Sequence, residues 1–254
     1  MRYVIYGDIH GCLEEWIELR KLIPKNSVEI CVGDILDKGP YPVEALRYAY
    51  KNRILSVLGN HEFKHLRKWW GRDVVLDQNQ QEIYPKLTQK DFEYISSMPF
   101  FFKLDHLTIL HAGITNKLQL NNLSFSKLRN LLYIRELDRE ENPLPLHHNY
   151  PNPVFWSEVY RGREGFIVYG HTPFLDIRRE FYSVGIDTGA VYGNKLTAIV
   201  IPDPLRPWEF EVLQVPARRK YSESVKELLP PPPSPSQLPG GSRGEFENFL
   251  SRND

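Results

Sequence analysis

Asp8 and His10 stand two residues apart between glycines, directly after the apolar run Tyr3-Val4-Ile5-Tyr6. In an extended segment, side chains at i and i+2 leave the backbone on the same side, so this carboxylate and imidazole can converge on one point. Such a mixed oxygen and nitrogen donor pair suits a transition-metal ion. Taken alone, Gly7 to Gly11 describes a solvated turn equally well. The pattern recurs, however. Asp34 follows Gly33 and the run Val28 to Val32, and Asn60 follows Gly59 and the run Ile54 to Leu58. His111 ends the run Leu107 to Leu110, and His171 follows Gly170 and the run Phe166 to Tyr169. Together these groups supply enough donors for two metal ions sharing a bridging carboxylate. Two ions about 3.5–4 Å apart clamp the attacking and leaving oxygens of phosphoryl transfer and lower the pKa of a bound water.

The elements that must position these groups follow from the apolar patterning. The first seventy residues read strand then helix three times, with helices from Leu13 to Pro24, from Pro42 to Tyr50 and from Gly59 through Trp70. Such alternation implies parallel strands with crossover helices, whose polar ends share one sheet edge. Residues 71–86 read as a loop, Thr88 to Met98 as a helix, and Phe100–Leu104 with Leu107–Leu110 as a hairpin. A helix is expected over Ser124 to Leu137 and a loop over 139–155. Four strands close the pattern: Phe166–Tyr169, Phe181–Ile186, Leu196–Ile201 and Trp208–Val215. With βα units first and β-rich sequence later, an α+β fold is expected: two sheets forming the core with helices outside, layered α/β/β/α.

Composition narrows the class. The 254 residues are enough for one large domain, 41% are hydrophobic, and Lys+Arg equals Asp+Glu at 32 each. That balance gives no reason to expect bulk nucleic-acid or membrane binding. The two cysteines, Cys12 and Cys31, read as buried thiols of a reducing compartment. With no signal-peptide layout and no apolar run of membrane-spanning length, a cytoplasmic protein is expected. Past Pro216 the composition shifts to the polyproline-like Leu228 to Pro235 and the flexible Gly240-Gly241-Ser242. The folded domain is therefore placed at 1–216. Residues 217–254 form a Pro-rich flexible tail, with a partner-docking peptide as its sharper reading.

Gly7-Asp8-Ile9-His10-Gly11, Gly33-Asp34-Ile35-Leu36-Asp37-Lys38-Gly39, Gly59-Asn60-His61-Glu62, His111-Ala112-Gly113 and Gly170-His171-Thr172 occur in this order. The set resembles the calcineurin-like metallophosphoesterases, more narrowly their phosphoprotein-phosphatase branch and its bacterial relatives, including symmetrical diadenosine tetraphosphatases. The resemblance implies the metallophosphoesterase fold and a hydrolase in which metal-bound hydroxide attacks phosphorus in line. It implies that Asp8 and His10 hold a first metal, that Asp34 bridges, and that Asn60, His111 and His171 hold the second. His61 matches the family's general acid, and Asp37 matches the carboxylate that orients it. Asn60 and Arg135 match phosphate-contacting positions, with Arg161 and Arg163 as rivals to Arg135. Tyr192 matches a substrate-side tyrosine, or else is a packed core aromatic. The implied cofactors are two divalent ions, manganese first, with iron or zinc as alternatives.

Two departures bear on the substrate. Lys38 stands where the family usually has arginine, exchanging a bidentate phosphate clamp for a single point charge. His111-Ala112-Gly113 replaces the His-Gly-Gly of eukaryotic protein phosphatases and, with Ile186-Asp187-Thr188-Gly189, points as much to the bacterial nucleotide-cleaving side. A phosphomonoester such as phosphoserine or phosphothreonine in a protein is placed first. A dinucleoside polyphosphate or other nucleotide anhydride comes second, and a non-catalytic partner-binding scaffold third. The partners expected are thus a phosphorylated protein or a nucleotide, and for the tail a binding protein. No membrane and no stable nucleic-acid partner is expected. The run Lys64 to Trp70 reads as a helix with one wet face, or as a groove wall for a nucleotide base. His65, His106, His147 and His148 read as surface or loop residues, and Arg178, Arg179, Arg218, Arg219 and Lys220 as solvated.

Overall fold

A computed structural model describes residues 1–223 together with 228, 230 and 231. Its first half is built as the alternation predicts: β1 (Arg2–Tyr6), α1 (Leu13–Arg20), β2 (Ser27–Cys31), α2 (Pro42–Lys51), β3 (Leu55–Ser56) and α3 (Asn60–Trp69). β1 runs parallel to β2 with Tyr6 opposite Cys31, and β2 parallel to β3 with Cys31 opposite Ser56. The three strands therefore stop level, which delivers the loops at Gly7, Gly33 and Gly59 to one edge.

The middle of the chain holds α4 (Gln78–Ile83), a 3₁₀ turn (Tyr84–Lys86), α5 (Gln89–Ser97), β4 (Phe101–Leu104), β5 (Leu107–Leu110) and α6 (Phe125–Asn130). Next come β6 (Glu136–Leu137), β7 (Val154–Phe155), α7 (Trp156–Val159), β8 (Phe166–Tyr169), β9 (Arg178–Glu180) and β10 (Ser183–Gly185). A 3₁₀ turn (Ala190–Tyr192), β11 (Lys195–Ile201) and β12 (Glu211–Pro216) follow. Among the described residues one sheet has the order β12-β11-β1-β2-β3 and a second the order β4-β5-β8-β10-β9. Within the second sheet β5, β8 and β10 are mutually parallel, so His111 and His171 also leave one edge.

Alternation along the strands explains the layering. Ile5, Ile30 and Val57 of the first sheet meet Ile109, Phe166, Val168 and Val184 of the second in the apolar layer between them. Val4 and Tyr6, on the opposite face of β1, pack with Trp16, Leu46 and Phe63 of the helices. Ile167 and Tyr169, on the outer face of β8, pack with Trp156, Leu131 and Ile134. The result is the expected α/β/β/α arrangement. No helix among the described residues is long and apolar enough to cross a membrane.

Two segments differ from the sequence expectation. Residues 71–86 contain α4, started by a capping box between Asp77 and Gln80. Its stretch Gln78-Asn79-Gln80-Gln81-Glu82-Ile83 has no apolar periodicity to announce a helix. The helix expected over Ser124 to Leu137 is only α6, because Ala112 and Gly113 both donate backbone hydrogen bonds to the Leu131 carbonyl. The adjacent Leu131 and Leu132 then bury on different sides, one with Ile134 and Trp156, the other with the α3 layer. Past β12, Arg218 N and the Tyr221 hydroxyl both donate to the buried Glu15 carboxylate of α1. Tyr221 N and Ser222 N donate to the Val191 carbonyl. The flexible segment expected at Gly240 to Ser242 lies outside the described residues.

Candidate metal centre

The strand-end loops are held in an unusual backbone. His10, Asp34, Asp37, Lys38 and His171 all have positive φ, between 43° and 71°. For residues other than glycine that conformation costs on the order of 1–3 kcal/mol each, and it persists only where surrounding structure imposes it. The imposing contacts are specific. Ile9 N and His10 N donate to the Asp34 carbonyl. Asp34 N and Leu36 N donate to the two carboxylate oxygens of the fully buried Glu62 (2.8 and 2.7 Å). Two glycines are required by close approach. A Cβ at Gly59 would strike the Asp34 carboxylate, and one at Gly170 would strike that of Asp8.

Three imidazoles then surround Asp34. His10 Nδ1 donates to the Leu36 carbonyl (2.9 Å) and His111 Nδ1 to the Val32 carbonyl (2.7 Å). A carbonyl only accepts, so the Nδ1 proton is fixed and each Nε2 is aimed inward. These Nε2 atoms lie 3.6 and 3.4 Å from Asp34 Oδ2. His111 Nε2 is also 2.9 Å from Asn60 Oδ1. His171 N donates to both oxygens of Asp8, while its Nε2 is buried without a hydrogen-bond partner. Asp8 Oδ2 is 4.0 Å from His10 Nε2. Among the described residues two donor groups emerge, His10 with Asp34 and His61, and Asp34 with His111 and His171, each with its ligand atoms within 4.8 Å. Asp34 belongs to both.

The electrostatics fit cations. Burial pushes His10 and His171 well below the ordinary histidine range, which keeps them neutral as ligands must be. Burial would also lower His111, but the Asp34 carboxylate overrides it and raises the group. Burial, then the neighbouring Asp187 and Asp34, raise Asp8 well above the usual carboxylate range. Asp187 is pushed up to about 6, chiefly by burial. Three buried carboxylates with converging imidazole lone pairs and an orphaned Nε2 form a site whose surplus negative charge divalent ions would neutralise.

His61 and Asp37 form the adjoining unit. His61 Nδ1 donates to Asp37 Oδ2 (2.6 Å), which leaves Nε2 facing the centre, 3.9 Å from Asp34 Oδ2. Asp37 also accepts from His65 Nε2 (2.7 Å) and Gln80 Nε2 (2.8 Å). Burial would raise its pKa, but the hydrogen bonds from His61 and His65 hold it well below the carboxylate range. His65 is thus no surface residue. It is fully buried one helical turn after His61, and spacing i, i+4 puts both rings on the face toward Asp37. His61 N donates to Asp34 Oδ1 (3.0 Å), so Asp34 caps the start of α3, where the helix dipole favours a carboxylate.

A family model described as calcineurin-like phosphoesterase matches residues 1–200. The chain belongs to that family. It is a hydrolase, and calcineurin-like phosphoesterases work with divalent metal ions. Among similar proteins are the asymmetrical bis(5'-nucleosyl)-tetraphosphatases PrpE of Anoxybacillus flavithermus and of Bacillus mycoides. The first is 30% identical over 87% of this chain and 96% of its own length. The second is 31% identical over 85% of this chain and 95% of its own. The solved structure of a protein put forward as a diadenosine tetraphosphatase has the same fold, with a TM-score of 0.69 at 22% identity, covering 85% of this chain and 93% of that one. A serine/threonine phosphatase from Saccharomyces cerevisiae also shares the fold, with a TM-score of 0.51 at 13% identity, covering 89% of this chain and 81% of that one.

The residues expected from the resemblance to face the substrate lie as follows. Lys38 Nζ donates to His10 Nε2 (2.9 Å) and to the Tyr192 hydroxyl (2.8 Å). Burial works against its charge, but Tyr192 and Asp34 hold its pKa up. Tyr192 therefore packs partly into the core and still faces the site. Arg135 is half-buried, feels Asp34, Asp8 and Asp187, and has no hydrogen bond or ion pair from its side chain among the described residues. Its rivals lie elsewhere: Arg161 pairs with Glu141, and Arg163 reaches the Asn116 carbonyl. Arg178, expected to be solvated, is buried against Glu158 and Glu180 and lies 4.2 Å over the Phe155 ring. Arg179 lies 4.2 Å over Phe210. Glu62, Gln80 and Asp187 are the groups that reading by motif passed over. Glu62 and Asp187 lay inside quoted motifs without a role, and Gln80 lay in the supposed loop.

Proposed function

We propose that the chain hydrolyses dinucleoside polyphosphates of the diadenosine tetraphosphate kind, asymmetrically, into a nucleoside triphosphate and a nucleoside monophosphate. The carrying observation is the identity of 30–31% to asymmetrical tetraphosphatases along 95% or more of their length. This reverses the order expected from sequence, which put a phosphomonoester first, and replaces symmetrical with asymmetrical cleavage. Lys38 and Arg135 support it, because two cations beside the metal donors suit an extended phosphate chain.

In this reading Asp8 and His10 hold one divalent ion, Asn60, His111 and His171 hold the other, and Asp34 is shared. Manganese is the ion we put first. When bound, such ions supply a water of lowered pKa and neutralise charge on the phosphate oxygens. The chain's own residues do the rest. Water adds across one P–O–P bridge; its oxygen goes to phosphorus and the bridging oxygen leaves with a nucleotide. His61, its Nδ1 proton held by Asp37, presents Nε2 to give a proton to that leaving oxygen. Tyr192 keeps the Lys38 ammonium in the site, and Arg135 faces the same oxygens.

The test is a comparison on one manganese-loaded preparation. kcat/KM for diadenosine tetraphosphate is expected to exceed that for a phosphoserine peptide at least about 10-fold. A preference for the peptide would overturn the proposal.

A further inference from the structure

One wall of the site carries aromatic and cationic groups that neither the metal donors nor the His61 unit uses. It is made by α3 and by the segment from α6 to Arg135. The hydrogen bonds from Ala112 and Gly113 to the Leu131 carbonyl tie the turn of residues 131–135 to the loop that bears His111. Arg135 ends that turn beside the buried carboxylates. Tyr133, two residues earlier, is 42% exposed. Its hydroxyl lies within electrostatic reach of Arg129, Arg67 and Asp34.

The floor of this strip is Phe63, buried on α3 two residues after His61. The guanidinium groups of Arg67 and Arg129 each stand 6.0 Å from its ring centroid. Phe125, 53% exposed, packs 6.2 Å from Phe63, and Trp70, 45% exposed, packs 6.4 Å from it. Neither Arg67 nor Arg129 has a carboxylate or a side-chain hydrogen bond among the described residues. Six of the fourteen other described arginines do: Arg20, Arg47, Arg161, Arg178, Arg206 and Arg218 hold acidic partners.

Exposed aromatic faces beside unpaired guanidinium groups match one ligand chemistry well. A nucleobase stacks on the rings, and the phosphates attached to it meet the arginines. Charge complementarity favours a polyphosphate over a phosphopeptide. A phosphomonoester spends its anionic charge at the metals, whereas a tetraphosphate carries further negative charge outward along this wall. We propose that Arg67, Arg129, Tyr133 and Phe125 form the subsite for the nucleoside phosphate portion that lies beyond the scissile bridge. This rests on the dinucleotide reading above.

The experiment uses the full chain loaded with manganese, with Arg67→Ala/Arg129→Ala and Tyr133→Ala as variants. Two ratios are read. The first is kcat/KM for diadenosine tetraphosphate over that for p-nitrophenyl phosphate, expected to fall at least about 10-fold, through KM. The second is the inhibition constant of ATP over that of inorganic phosphate, both measured against p-nitrophenyl phosphate, expected to rise by a similar factor. Tyr133→Phe, which keeps the ring, should restore most of the loss. Unchanged ratios, or a KM effect confined to a phosphopeptide, would overturn the subsite. The two proposals fail separately. A parent protein that leaves the tetraphosphate intact, with variants that still weaken ATP inhibition, sinks the reaction and keeps the subsite. Tetraphosphate cleavage at unchanged ratios does the reverse.

Discussion

Replacing Asp34 by asparagine is expected to abolish stable metal binding and to lower kcat/KM by roughly 10³-fold or more. Asp34 is the one group common to both donor sets, so neutralising it weakens both at once. The fold should survive. An asparagine keeps an oxygen to accept from His61 N, so the start of α3 stays capped. Removing this charge relieves Asp8 and Asp187, both pushed up by their surroundings, but also loses the attraction of His111, His61 and His10, which against burial holds Asp34 well below the usual carboxylate range. In the metal-free state Asp34→Asn should therefore still fold, but without exceeding the parent in stability. The difference appears on adding metal. A ligand at 100 times its Kd stabilises a folded protein by about 2.7 kcal/mol, and this rise in Tm should vanish in the variant. Elemental analysis and thermal unfolding with and without manganese would check it. Parental metal content in the variant would contradict a shared role for Asp34.

Replacing His61 by alanine is expected to have the second largest effect, and it separates two roles the geometry allows. His61 Nε2 faces Asp34 and belongs to a donor group with His10, yet its other nitrogen is held by Asp37. As a proton donor, its loss should slow substrates with basic leaving oxygens by about 10²–10⁴-fold and leave metal content intact. An alkyl phosphate should suffer most. p-Nitrophenyl phosphate, whose leaving oxygen needs little protonation, should suffer least. Equal losses on both substrates, accompanied by lost metal, would make His61 a ligand instead.

The candidate donor residues were legible because each advertises itself twice, once by type and once by standing at the end of an apolar strand with a glycine beside it or one residue away. Within each sheet their convergence follows from the rule that parallel strands share an edge, as the level ends of β1, β2 and β3 show, and stacking of the two sheets brings the two sets together. The capping box of Thr88 and Asp91 likewise announced α5. What stayed hidden depends on contacts far apart in sequence. α4 is polar throughout its exposed face, and its purpose appears only when Gln80 reaches Asp37. Arg178 looks like any surface cation until Glu158 and Glu180 close around it. His65 is a different case. Its spacing of four from His61 on a predicted helix was visible, and it could have named a second imidazole on Asp37. The leucines after Ser124 suggested one long helix because neighbouring leucines that bury in opposite layers mimic helical spacing over a short stretch. Substrate choice was the least legible, since Lys38 and Arg135 acquire meaning only from the groups that the fold brings around them.

The most direct measurement is the identity of the products. Manganese-loaded protein is incubated with diadenosine tetraphosphate and the mixture separated by anion exchange before secondary hydrolysis sets in. Equal amounts of ATP and AMP are expected. ADP as the sole product, or an intact tetraphosphate beside a rapidly dephosphorylated peptide, would contradict the account.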